Sequence, residues 1–93
     1  RYRKMGRIVM VDAALSPTTS TTAFVSKKMC TIPAQFAPIT DISGVHQGSG
    51  ANRWNLTVNT LGEFFIDRYG ASAEVIGAPE GCWLPFSVIY IGK

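Results

Sequence analysis

The chain has 93 residues, 46% of them hydrophobic and 16% charged, the balance of one globular domain and not of a disordered chain. Its net charge of +3 rests on Arg1, Arg3, Lys4 and Arg7, four of the nine basic residues, and a cluster so short and terminal reads as a junction or oligomer-axis feature; a nucleic-acid interface spreads Lys and Arg along a face. Cys30 and Cys82 are too few for a disulfide framework and, with His46 the only histidine, form no zinc set, so two buried free thiols are expected, no cofactor is implied, and no apolar run is long enough to insert in a membrane.

Short apolar runs separated by Gly, Pro, Ser and Asn recur along the chain, and no stretch sustains the helical period of roughly 3.6 residues, so the class is all-β, a sandwich or barrel. Strands are expected over Arg7 to Ala14, Ala23 to Ile32, Ile39 to His46, Arg53 to Val58, Glu63 to Tyr69, Ala73 to Ile76 and Leu84 to Ile91, six or seven in a single domain of residues 1–93. Between them, Ser16 to Thr22, Gln47 to Asn52 and Gly77 to Gly81 carry loop chemistry. The opening Arg1, directly before a strand-like run, suggests a piece of a longer protein.

The most legible element is the hairpin turn Asn59-Thr60-Leu61-Gly62-Glu63, in which Gly62 can adopt the left-handed conformation that closes such a loop. With Asn59 opposite Glu63, the register pairs Val58 with Phe64, Leu56 with Ile66 and Trp54 with Arg68. That makes two apolar core pairs, then an aromatic and a cation at the open end of the hairpin, where a guanidinium can stack on the indole. Pro33, Pro38, Pro79 and Pro85 mark strand starts, edges or bulges. The closing run is apolar at both parities from Phe86 onward, so one of its faces packs in the core and the other is expected to meet a second subunit.

Several segments, taken in order, resemble a known series: Tyr2 to Val11, with Tyr2-Arg3-Lys4 and Gly6 ahead of the first strand; the bend Ile32-Pro33-Ala34-Gln35-Phe36-Ala37-Pro38; Val58-Asn59-Thr60-Leu61-Gly62; and Trp83 with Ser87 to Ile91. The series is similar to the C-terminal head of receptor-binding proteins of tailed phages of Gram-positive bacteria, the lactococcal siphophages above all. Ala37 stands where members often carry a basic residue, and the Ser16 to Thr22 loop has no characteristic motif. The resemblance implies a small antiparallel β-barrel, the head domain of a homotrimer at the distal tail tip or baseplate of a virion. Made in the bacterial host cytoplasm, such a head binds host cell-wall saccharide, including glycerol-phosphate-bearing saccharide, during adsorption. It also implies sites high on the head, near subunit boundaries, built from aromatic, His, Asp and Arg side chains. Three heads acting together would raise weak single contacts to useful avidity.

A saccharide site needs an apolar platform and side chains that exchange hydrogen bonds with hydroxyls. The best set here is Trp54 as platform, Arg68 and His46 as donors, and Asp41 or Asp67 as acceptor. Each also has a plain structural reading: Trp54 as a capping core aromatic, His46 as a packing residue, the two aspartates as solvated strand-end charges. Arg68 gains weight if phosphate is present, since a guanidinium holds it with two parallel hydrogen bonds. Trp83 reads as a core plug.

Catalysis is disfavoured, because the six acids Asp12, Asp41, Glu63, Asp67, Glu74 and Glu80 are scattered and no G-x-S-x-G accompanies the lone histidine. The main alternative is a structural or adaptor tip domain of tail fibre or baseplate, binding another phage protein. An exposed rim carrying Trp54, Arg68 and His46 together favours saccharide, whereas a broad apolar patch with those side chains buried favours a protein partner.

Overall fold

One turn of five residues, Asn59 to Glu63, sets the geometry of the four-stranded sheet in the computed structural model, which describes residues 1–18, 20–21, 25–47, 52–70, 76–82 and 84–93. The Gly62 N–H donates to the Asn59 carbonyl at 3.0 Å, and the Asn59 N–H donates to the Glu63 carbonyl at 3.1 Å. Gly62 has φ +81°, and a Cβ there would lie 2.8 Å from the Ile32 carbonyl oxygen, so the turn admits only glycine without strain. This turn joins two strands in the register read from the sequence, Val58 opposite Phe64 and Leu56 opposite Ile66.

The strands are β1 (Tyr2–Met5), β2 (Ile8–Leu15), β3 (Lys27–Thr31), β4 (Ile42–Gln47), β5 (Arg53–Val58), β6 (Glu63–Gly70) and β7 (Leu84–Ile91), with a 3-10 turn at Ala34–Phe36. All pairings between strands are antiparallel. They form a three-stranded sheet of order β1-β2-β7 and a four-stranded sheet of order β3-β6-β5-β4. The class is thus all-β as expected, but among the described residues the strands make two sheets and not a closed barrel. Closure would need ladders along two seams, β1 with β3 and β4 with β7, and neither is present among the described residues. At the second seam one begins with the bridge Pro38–Gly92 and the Ile39 N–H to the Ile91 carbonyl, but Pro38 has no N–H to contribute and the chain bends before β4 begins at Ile42.

Between the sheets, Val9 and Val11 of β2 and Leu84, Phe86 and Tyr90 of β7 pack on Trp54, Leu56 and Val58 of β5 and Phe64 and Ile66 of β6. The Phe64 and Phe86 rings lie 5.6 Å apart across this interface. The Tyr90 hydroxyl donates to the Phe36 carbonyl at 2.7 Å, and burial pushes that phenol up to about 12. Cys30 and Cys82 are free thiols, half-buried, and burial raises both above the ordinary thiol range.

The basic N-terminal cluster, expected as a junction or oligomer-axis feature, lies in and beside an edge strand. Arg3 and Lys4 belong to β1, which pairs with β2 through the turn at Gly6 and Arg7, so these two cations lie along a sheet edge. β3 is also an edge and carries Lys27 and Lys28, so charge sits where an unpaired edge would otherwise recruit another chain. The expected strand at Ala73 to Ile76, the start of that at Ala23 to Ile32 and the Trp83 plug fall outside the described residues, save that Ile76 bridges Tyr69.

Gly62→Ala is expected to destabilise the fold by about 1–3 kcal/mol, since it combines positive φ with a close approach to the Ile32 carbonyl. Thermal unfolding checks this, and a melting temperature equal to that of the wild type contradicts the role given to the turn.

Candidate functional site

The hairpin register holds for four pairs, from Val58–Phe64 to Asn55–Asp67, and then shifts. Asn55 faces Asp67, but Arg53 faces Gly70, so β6 carries one extra residue opposite Trp54. The extra residue lies at Arg68, whose φ of +53° is the one positive value among the described non-glycine residues. Such a bulge turns the strand and re-aims its side chains. Trp54 therefore does not stack against Arg68. Its indole points into the core with 1% exposure, and its Nε1 is buried with no hydrogen-bond partner among the described residues. As a platform it is out of reach of a ligand in this conformation.

His46 lies opposite Trp54 in the β4–β5 ladder. The two rings stack at 6.1 Å and 27°, and the Phe86 ring meets the imidazole edge-on at 6.2 Å and 71°. The imidazole thus joins the four-stranded sheet to β7 of the other. Burial lowers its pKa below the ordinary 6.5, which favours the neutral ring.

Arg68 is exposed, with no hydrogen bond or ion pair among the described residues. Next to it Asp67 is half-buried; its Oδ2 accepts from the Ser26 hydroxyl at 3.4 Å and its Oδ1 is buried without a partner among the described residues. Asp41 lies at the far end of the sheet, where its Oδ1 accepts from the Thr60 N–H at 3.1 Å and so supports the hairpin turn. Five strand positions separate it from His46, about 16 Å at the usual rise. The structure brings Arg68, Asp67, Trp54 and His46 to one end of the four-stranded sheet, leaves Asp41 at the other, and puts Trp54 and His46 on the inner face.

Two features escaped the sequence reading. One is a cavity of about 220 Å³ between β4 and β7, lined by Ile42, Ser43, Gly44, His46, Leu56, Val58, Val88 and Ile89. Its signal in the sequence is Gly44, a glycine inside an otherwise ordinary strand. The other is the outer face of the three-stranded sheet, where Met5 (69% exposed), Ile8, Ile89 (68%) and Ile91 adjoin in register around Met10, with Arg3 beside Met10 at the β1 edge. The alternation of β7 did predict an apolar outer face; that β2 and β1 continue it needs the pairing. Asp12 and Ser87 sit further along the same face, Asp12 with Arg1 at 3.6 Å.

No group of three or more metal-ligating side chains occurs among the described residues, and no helix there is long and apolar enough to cross a membrane.

The lowered pKa of His46 has a defined consequence. Between its folded value and 6.5 the unfolded chain binds more protons, so stability is full above pH 6.5 and declines as pH falls through that window. Urea unfolding at pH 7.5 and 5.5 is expected to show this decline, and His46→Phe, which keeps an aromatic ring between Trp54 and Phe86, is expected to reduce it. An undiminished decline in the variant contradicts the assignment. Glu63, lowered by the Asn59 hydrogen bond and then by Lys28, loses its contribution only further down, below its ordinary 4.5.

No protein-family model, no curated protein and no solved structure matches the chain.

Proposed function

We propose that the chain is a receptor-recognition head of a phage tail tip or baseplate, which binds host cell-surface saccharide during adsorption and works as a homotrimer. The observation that carries the recognition half is Arg68: an exposed guanidinium held out by a bulge, on backbone that an arginine adopts only at a cost, beside the half-buried carboxylate of Asp67. Strain of that kind is retained where the re-aimed side chain has work to do. A guanidinium and a carboxylate side by side can donate to and accept from adjacent hydroxyls, and the guanidinium can hold a phosphate. Asp41 and Trp54 contribute through the fold: the first holds the turn, the second fills the core.

Trimer formation is supported by the outer face of the three-stranded sheet, whose adjoining Met5, Ile8, Met10, Ile89 and Ile91 form the kind of patch that a subunit contact covers. Recognition without turnover fits the engagement of four of the six acids, with Asp12 on Arg1, Asp41 on the Thr60 N–H, Glu63 on Asn59 and Lys28, and Asp67 on Ser26.

A second reading, an adaptor domain that binds another phage protein, is favoured by two observations: the buried Trp54 and that same apolar face. The two readings divide on what covers the face and what the Arg68 end touches.

Arg68→Gly relieves the positive φ and removes the guanidinium. It is expected to leave the melting temperature equal or higher while weakening binding to cell-wall saccharide by about 1–2 kcal/mol, roughly five- to thirtyfold. Unchanged saccharide binding by this variant, measured by calorimetry, counts against the rim site. Ile89→Lys, on the outer face, is expected to convert a trimer to monomers in sedimentation; a wild-type chain that is monomeric at all concentrations contradicts the trimer and leaves the adaptor reading in front.

A further inference from the structure

Backbone alternation decides which groups face the seam between β4 and β7. The Gly92 N–H donates to the Arg7 carbonyl, and the Ile39 N–H donates to the Ile91 carbonyl. Along β7 the backbone of Val88 and Tyr90 therefore turns to β2, and that of Ser87, Ile89 and Ile91 turns to the seam. On β5 the Asn59 N–H bonds to the Glu63 carbonyl, which turns Thr57 and Asn55 to β6 and turns Val58, Leu56 and Trp54 to their partners Ile42, Gly44 and His46 on β4. The backbone of Ser43 and Val45 is thereby left facing β7.

The bond from Ile39 to Ile91 is the first rung of a ladder that goes no further. No hydrogen bond crosses the seam to the backbone of Ser43, Val45, Ser87 or Ile89 among the described residues. Such a row of unpaired N–H and C=O groups is a template for another strand. Pro85, at the next seam-facing position along β7, has no N–H to offer, so the open donor edge ends there.

Charge and space define what fits. The edges β1 and β3 carry Arg3, Lys4, Lys27 and Lys28, whereas β4 (ISGVHQ) and β7 (LPFSVIYI) hold no Lys, Arg, Asp or Glu. Nothing at the seam repels an incoming strand, and a charged one would lose hydration with no counter-charge to replace it. Beneath the open stretch lies the cavity of about 220 Å³, walled by the inward side chains of Ile42, Leu56, Val58 and Val88. Ser43 and Ile89 border it by backbone, since the Ser43 hydroxyl bonds to Asn55 on the outer face and the Ile89 side chain is exposed on the outer face of the other sheet. An apolar cavity of about 150 Å³ takes a benzene, so there is room here for a branched aliphatic side chain.

Gly44 keeps that room. Its φ is not positive and a Cβ on it would meet only His46 Nε2, at 3.9 Å, so neither conformation nor crowding asks for a residue that weakens a strand interior. Next to it Val45, 70% exposed at the lip of β4, offers a further apolar contact.

The geometry points to the β4–β7 seam as a docking groove for an extended, uncharged segment of a partner protein, which continues the ladder on the Ser87 and Ile89 backbone and drops a branched aliphatic side chain into the cavity. In strand addition of this kind main-chain bonds supply affinity and the pocket supplies selectivity. The groove uses neither Arg68 nor Asp67, so it stands or falls separately from the saccharide reading.

The test is amide NMR with hydrogen exchange on the folded wild type, alone and titrated with a short capped peptide of alternating threonine and valine with leucine at its centre. The same peptide with aspartate at its centre is the control. In the free chain the Ser87 and Ile89 amides are expected to exchange far faster than those of Val88 and Tyr90. Saturating leucine peptide is expected to slow both about tenfold or more, and the aspartate peptide to leave them unchanged. Gly44→Val, which fills the cavity, and Val45→Lys, which charges the lip, are each expected to weaken binding about tenfold at a melting temperature close to that of the wild type. If Gly44→Val fails to fold, the exposed Val45 position decides. Ser87 and Ile89 amides that are already slow in the free monomer overturn the open seam. Absence of binding by the leucine peptide overturns the groove, as does binding that leaves these amides exchanging or that survives undiminished in the folded variants. Protection that appears on raising the concentration of the chain alone assigns the seam to a second copy and overturns the foreign partner.

Discussion

The side chain of Asn59 is the point from which the four-stranded sheet is organised. Its Oδ1 accepts from the Leu61 and Glu63 N–H groups, each at 3.0 Å, and its Nδ2 donates to Glu63 Oε1 at 2.8 Å. One amide thereby satisfies the turn and fixes which residue faces which across β5 and β6. Parity does the rest: Trp54, Leu56 and Val58 on one strand and Phe64 and Ile66 on the other all point inward, whereas a slip of one residue would turn every one of them to solvent. Glu63 in turn reaches Lys28 at 3.4 Å, which ties the edge strand β3 to the same turn, and Asp41 reaches Thr60 from the segment before β4. The turn is held from both sides, so the register persists until the bulge at Arg68 breaks it.

Charge is distributed by edge and not by patch. A +3 chain with its cations in a few short runs invites a polyanion reading, yet Arg3, Lys4, Lys27 and Lys28 fall on β1 and β3, two edges with no further paired strand among the described residues. Basic side chains there keep the edges from pairing with other chains. The opposite side carries no such protection, because β4 and β7 face each other, and His46 links them through Trp54 and Phe86. The same arrangement that keeps the barrel from closing therefore leaves an opening lined by uncharged residues beside the core, with the molecule's single histidine among them.

The sequence made the fold class, the hairpin register and the apolar outer face of β7 legible, because each depends on local alternation or on one turn. It misplaced the features that depend on a single inserted residue or on distant pairing. Counting back from Asn59 puts Trp54 opposite Arg68, and nothing in the alternation announces that β6 holds one residue more; only the positive φ of Arg68 does. β1 was missed because an edge strand that is half basic shows no apolar alternation. Of the candidate site, Arg68, Asp67 and His46 do gather at one end of the sheet, as their positions in the hairpin and its neighbouring strand required. Asp41 does not, since its carboxylate is committed to the turn, and Trp54 is present but faces inward. The β4–β7 opening was beyond reach, as it exists only where two strands nearly forty residues apart come together.

In the proposed function, recognition runs through the half-buried and exposed polar groups at the Arg68 end of the sheet while Trp54 fills the core. Calorimetric titration of Trp54→Met with cell-wall saccharide from a Gram-positive host, beside the wild type and at a temperature where both are folded, tests it most directly. Methionine keeps apolar volume in the core and removes the ring. The account predicts saturable binding by both proteins with dissociation constants within about twofold, alongside a lower melting temperature for the variant. A folded variant that has lost binding tenfold or more would contradict it and return Trp54 to the ligand.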